Sequence, residues 1–155
     1  MSTRAHEILM VEDDKEQADL IMDTAKVCGF EVKWSLAGDG EAALKRLRQE
    51  GQFQLAVRPA LVLLDLHLPK LGGVEVLKTV KGDPRLKGIP VIIMSSSRDE
   101  ADVNAAYECG ANCYIGKPAS FEGFVSMIKF LDAFLCLPQA EPKPKPTLIR
   151  APTLN

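Results

Sequence analysis

The feature that most constrains this chain is the run Leu61-Val62-Leu63-Leu64-Asp65, four aliphatic residues closing on a carboxylate and followed at once by Leu66-His67-Leu68-Pro69. A short, unbroken apolar run bounded by a proline-bearing loop reads as a strand buried on both faces, the habit of a central parallel strand. Asp65 then stands at the strand's carboxyl end. In open α/β sheets that edge is where ligands bind, because loops and helix N-termini converge there.

Three further runs repeat the pattern. Ile8-Leu9-Met10-Val11 ends in Glu12-Asp13-Asp14, Val91-Ile92-Ile93-Met94 ends in Ser95-Ser96-Ser97, and Cys113-Tyr114-Ile115-Gly116 ends in Lys117-Pro118. Two acid-tipped strands ending side by side gather negative charge, which repulsion disfavours unless a cation or a proton intervenes. Oxygen donors with no neighbouring His or Cys cluster favour a hard ion, Mg²⁺ before Zn²⁺.

Between these strands the apolar residues recur at helical spacing. Asp14 predicts an N-cap for a helix carrying Ala18, Ile21, Met22 and Ala25 and ended by Gly29. Residues 31–35 alternate as a strand, and Asp39-Gly40 opens a helix with Ala43, Leu44 and Leu47 inward. Gly72-Gly73 precedes a helix with Val74, Leu77 and Val80, and Asp99 caps one with Val103, Ala106 and Tyr107 that stops at Gly110. Ser120 opens a last helix to about Leu137. Strands alternating with helices in this way predict a doubly wound α/β fold, with helices on both faces of a parallel sheet.

With 155 residues the chain is one domain of ordinary size, and a formal charge of −2 offers no basic field for nucleic acid. No stretch approaches the roughly 20 apolar residues that span a membrane. The first residues, Met1 to Glu7, hold no signal-like apolar segment, so a cytoplasmic address is expected. Cys28, Cys109, Cys113 and Cys136 form no CxxC pair and are expected as reduced, buried packing residues. Residues 138–155 are proline-punctuated and charged and are expected to form an extended or disordered tail outside the domain, which would span 1–137.

The order Glu12-Asp13, Asp65, Ser95, Lys117-Pro118 resembles the receiver domain of two-component response regulators. Arg58-Pro59 and Leu86-Lys87-Gly88-Ile89-Pro90 are similar to the single-domain regulators that partner bacterial phytochromes. The resemblance implies a flavodoxin-like five-stranded sheet of order 2-1-3-4-5 with five helices. It implies Asp65 as acceptor of a phosphoryl group from the phosphohistidine of a sensor histidine kinase, a bacterial phytochrome being the candidate. Mg²⁺ would be held by Asp13 and Asp65, by Glu12 through water, and by the backbone carbonyl of His67. Lys117 would contact the phosphoryl group and Ser95 would sense it, with Ser96 and Ser97 as competing hydroxyls. Tyr114 would be the aromatic that follows Ser95, and Lys117–Pro118 the family's cis peptide. The alternatives are a pseudo-receiver that binds partners without phosphorylation and, more distantly, an aspartate-nucleophile phosphatase, which would want an acid where His67 stands.

The final helix is apolar around much of its circumference. Phe121, Phe124, Val125, Ile128, Leu131 and Leu135 form one stripe for the sheet, and Met127, Phe130, Phe134 and Leu137 a second. The second stripe is expected to pair two copies, as the resemblance also implies, or to be covered by the tail through Leu148 and Ile149.

Overall fold

The computed structural model describes residues 6–137. Five strands alternate with five helices: β1 (His6–Val11), α1 (Lys15–Val27), β2 (Val32–Ala37), α2 (Gly40–Leu47), β3 (Leu61–Leu64), α3 (Gly73–Gly82), β4 (Val91–Ser95), α4 (Glu100–Glu108), β5 (Cys113–Gly116) and α5 (Phe121–Cys136), with a 3₁₀ turn at Gly51–Phe53. All pairings are parallel, and the strand order is β2-β1-β3-β4-β5. This is the flavodoxin-like order. The connection reverses direction between β1 and β3, so a crevice opens beyond their carboxyl ends, where Glu12, Asp13 and Asp65 emerge.

Strand side chains alternate between two cores. Leu9, Val11, Val62, Leu64, Ile93 and Tyr114 face α2, α3 and α4. Ile8, Met10, Leu61, Leu63, Ile92, Met94 and Ile115 face α1 and α5. Every residue of β3 is fully buried, which is why that run carries no polar alternation at all.

The helix starts form as their caps dictate. Asp14 accepts from the N–H groups of Glu16 and Gln17, Asp39 from Ala42, Asp99 from Ala101 and Ser120 from Gly123, each at a residue in extended conformation. Gly29 and Gly110 take positive φ of 70° and 102° where α1 and α4 stop, a conformation that a Cβ disfavours. None of the described helices is long and apolar enough to cross a membrane.

The last helix departs from expectation in two places. Met127 is fully buried with Phe124, Ile128, Leu131 and Leu135, so it belongs to the core and not to the second stripe. Phe121 is 58% exposed although Gly123 and Phe124, in the same first turn, are buried, so the stripe begins at Phe124. Phe130 and Phe134, with ring centroids 6.2 Å apart, are half-buried and pack against the same core cluster, while Leu137 is exposed. The cysteines divide as well. All four are free thiols, but only Cys113 is buried; Cys109 is half-buried, and Cys28 and Cys136 sit exposed at the ends of α1 and α5. The expected tail, residues 138–155, and Leu148 and Ile149 within it lie outside the described residues.

Candidate functional site

Parallel pairing delivers four chemically active residue types to one edge. The ladder runs past the strand ends: Asp65 N–H donates to the Val11 carbonyl at 3.1 Å, Glu12 N–H to Ala37 at 3.0 Å and Lys117 N–H to Ser95 at 2.8 Å. The backbone at Glu12, Asp65, Ser95 and Lys117 is thereby as fixed as the sheet. Asp65 is 4% exposed and Glu12 is 6% exposed, whereas Asp13 beside them is open to solvent.

Lys117 Nζ lies 3.0 Å from both Glu12 Oε1 and Asp65 Oδ2. The second Asp65 oxygen, Oδ1, accepts the His67 backbone N–H at 3.0 Å, and Glu12 Oε2 accepts that of Asp14 at 3.2 Å. Burial, opposed by the Lys117 ammonium and the Asp14 N–H and assisted by the Asp65 charge, raises the Glu12 carboxyl above the usual carboxylate range. For Lys117 burial acts downward, but its contacts with Glu12 and Asp65 outweigh it and the ammonium is held more firmly protonated than usual.

Glu12 Oε1 is the one buried side-chain oxygen among the described residues with no hydrogen-bond partner of good geometry, although the Lys117 charge lies beside it. Oxygens of Glu12, Asp13 and Asp65 lie within 4.8 Å of one another. An under-satisfied buried carboxylate, a second buried carboxylate and an exposed third make an all-oxygen donor set open to water on one side. That set fits a hard divalent cation that keeps part of its hydration shell.

The loop leaving β3 is pressed against its surroundings through two glycines. A Cβ on Gly73 would lie 2.3 Å from the Asp65 carbonyl oxygen and 2.6 Å from Leu66 Cα, and one on Gly40 would lie 2.3 Å from the Leu71 carbonyl. The Gly72-Gly73 pair was the visible signal for the first; Gly40 looked only like part of a helix start.

Ser95 is fully buried at the end of β4, and its Oγ accepts the Ser97 N–H at 3.1 Å. The competing hydroxyls face elsewhere: Ser96 is exposed, and Ser97 Oγ donates to Asp102 on α4. Tyr114 is 9% exposed, and its hydroxyl donates to the Ser97 carbonyl at 2.7 Å, so the β4–α4 loop is fastened to β5 by a side chain. Sequence reasoning missed this clasp, since nothing in the spacing of Ser97, Asp102 and Tyr114 announces it. His67 is exposed, with its backbone N–H turned to Asp65.

One expectation is overturned. The described residues include no cis peptide bond, so Lys117–Pro118 is trans. Trans is the ordinary form of such a bond by about 0.5 to 1 kcal/mol. Here the lysine reaches both carboxylates without the cis geometry, from a backbone that stays on the β4 ladder.

A doubly wound sheet with three acids, a buried hydroxyl and a lysine at its switch point defines a phosphoacceptor signalling domain. The chain belongs to the response regulator receiver domain family, whose model matches residues 8–129. It is 39% identical over 127 residues to the response regulator Rcp1 of Synechocystis sp., covering 82% of this chain and 86% of that protein. Among solved structures it is similar to the phosphorylated cyanobacterial phytochrome response regulator RcpA, with 39% identity and a TM-score of 0.79 over 85% of this chain and 94% of that one. It is likewise similar to the Mn(2+)-bound form of Rcp1, with 36% identity and a TM-score of 0.78 over 89% and 99% of the two chains. The chain is thus a receiver domain homologous to phytochrome response regulators, with a site suited to a divalent metal.

Proposed function

We propose that Asp65 accepts a phosphoryl group from the phosphohistidine of a sensor histidine kinase, and that this kinase is a bacterial phytochrome. The observation that supports the reading is the bridge from Lys117 to Asp65 and Glu12, which brings a buried carboxylate, a cation and a metal-fitting acid set into one crevice. The relatives supply the partner class: RcpA is named as a phosphorylated phytochrome response regulator.

In the reaction an Asp65 carboxylate oxygen forms the new O–P bond while the P–N bond to the donor histidine breaks, its electron pair returning to the imidazole. Little acid-base help is needed; positioning and charge neutralisation dominate. Asp65 is aimed by the His67 N–H on one oxygen and by Lys117 on the other. Mg²⁺ held by Asp13, Asp65, the His67 carbonyl and, through water, Glu12 would neutralise the phosphoryl charge when bound. Lys117 passes from the carboxylate to a phosphoryl oxygen, and Ser95 turns its hydroxyl from the loop to another. That turn removes the acceptor of the Ser97 N–H and loosens the loop that Tyr114 holds. The change spreads to the α4, β5 and α5 face, by a shift of population between two loop positions.

The domain, residues 1–137, is a phosphoacceptor that assists its own phosphotransfer and its own dephosphorylation, in which water takes the phosphoryl group and the Asp65 carboxylate is restored, and it has no separate substrate. It works in the cytoplasm, where the kinase donor is made, and pairs through Phe130, Phe134 and Leu137. Support for pairing is the adjacent rings of Phe130 and Phe134, only half-buried against the core, beside exposed Leu137. Sedimentation of the Phe130→Glu, Phe134→Glu protein as a folded monomer, against a dimeric parent, tests that part. For the chemistry, acetyl phosphate and Mg²⁺ are expected to add one phosphoryl group by intact mass, and EDTA to prevent it. A chain that stays unmodified under these conditions but still binds its kinase would favour the pseudo-receiver.

A further inference from the structure

The opposite edge of the sheet carries a feature that phosphoryl chemistry does not use. The end of α2, the connection before β3 and the connection before β4 enclose a cleft of about 90 Å³ lined by Leu47, Arg48, Gln49, Arg58, Arg85 and Leu86. Three of the six are arginines, in a chain whose formal charge is −2. Among the described residues Arg48 and Arg58 are in no ion pair, while Arg85 meets Asp83 at 3.4 Å. Asp83 also feels the charge of Arg48 and is kept ionised below its usual range by its hydrogen bonds to Arg85. Asp83 is therefore shared between Arg85 and Arg48, and Arg58 has no acid within ion-pair distance among the described residues.

The walls are fixed. Arg58 donates to the Arg85 carbonyl, Gln49 Nε2 donates to the Ala56 carbonyl at 2.7 Å, and the Asp83 carboxylate accepts the Arg85 N–H at 2.8 Å. The segment tied down by Gln49 and Arg58 presents Leu55 and Val57 outward, 96% and 58% exposed. Exposed branched side chains beside under-neutralised arginines have the composition of a protein interface, where Arg is enriched and guanidinium forks bind carboxylates two-pronged. The walls being already ordered, little ordering cost attends binding.

We propose that this cleft and the Leu55–Val57 segment are a second docking surface, which takes an acidic segment with apolar residues from a partner protein. Charge complementarity names the occupant, and the exposed aliphatics favour a peptide over a small anion. The cleft borders the start of β3 and Asp65 follows its end, a separation on the order of 15 Å at about 3.3 Å per residue, so docking there leaves the crevice free.

The test is an NMR titration of the whole chain with a synthetic peptide alternating glutamate and leucine, with the glutamine counterpart and with inorganic phosphate. Saturable shifts confined to residues 47–49, 54–58 and 85–86 are expected with the glutamate peptide alone. Arg48→Glu should weaken this binding about tenfold or more, and Arg48→Gln by less. Both variants should keep unshifted spectra elsewhere and take phosphoryl groups from acetyl phosphate at the parent rate. The proposal is overturned if the glutamine peptide binds equally, or if phosphate alone saturates the same shifts. Shifts scattered over the other lysines and arginines, or unchanged affinity in the Arg48 variants, overturn it as well.

Discussion

Replacing Lys117 with Met removes the charge that holds Glu12 and Asp65 together while leaving the aliphatic stem. At 3.0 Å each contact is worth roughly 5 to 6 kcal/mol at an effective dielectric constant near 20, before desolvation is subtracted. Desolvation offsets much of that, and removing one partner of a buried ionic group typically costs about 3 to 5 kcal/mol. The open side at Asp13 lets water relieve part of the repulsion, so about 3 kcal/mol is expected in metal-free buffer at neutral pH. A divalent ion can take over the neutralisation. It should also bind more tightly to the variant, because it no longer competes with the ammonium. At about a hundredfold over its dissociation constant an ion contributes about 2.7 kcal/mol, nearly the whole deficit. Urea unfolding of both proteins with EDTA and with Mg²⁺ measures this directly. A variant as stable as the parent without metal, or one that Mg²⁺ stabilises less than the parent, would refute the account of the bridge.

Gly73→Ala should cost about 1 to 3 kcal/mol and slow phosphorylation, since its Cβ meets the Asp65 carbonyl at 2.3 Å and only backbone movement can relieve it; melting curves and acetyl phosphate kinetics report both. Tyr114→Phe deletes the bond to the Ser97 carbonyl and should cost about 1 kcal/mol, with faster amide exchange confined to the β4–α4 loop. Burial lowers the Lys81 ammonium from 10.5 to about 8, so the folded chain holds that proton less firmly than the unfolded one. The stability tied to Lys81 is present above 10.5 and is lost as pH falls through 8, and a ¹⁵N titration of the Lys81 side chain should find its midpoint well below that of the exposed lysines.

Four strands, β1, β3, β4 and β5, and the residues at their ends were legible because burial on both faces leaves an uninterrupted apolar run, and because each run ends in the residue it delivers, whereas β2 showed only as an alternation. Leu61 to Asp65 needed no tertiary knowledge, nor did the caps Asp14, Asp39, Asp99 and Ser120. What could not be read depends on which arc of a helix meets the sheet. Met127 and Phe121 both fit an apolar stripe, and only the docking angle of α5 decides that the first is core and the second exposed. The Tyr114 clasp and the close approach at Gly40 arise between elements distant in sequence, and a local pattern carries no mark of them.

The central claim is that Asp65 is the phosphoacceptor, and chemical mapping of the modified residue tests it most directly. Borohydride reduces an acyl phosphate to an alcohol, so treatment of the phosphorylated chain followed by peptide mass mapping should find one reduced side chain, at Asp65, and none in the Asp65→Asn protein. Reduction at Asp13, Glu12 or any other carboxylate of the parent, or undiminished phosphorylation of Asp65→Asn, would contradict the assignment.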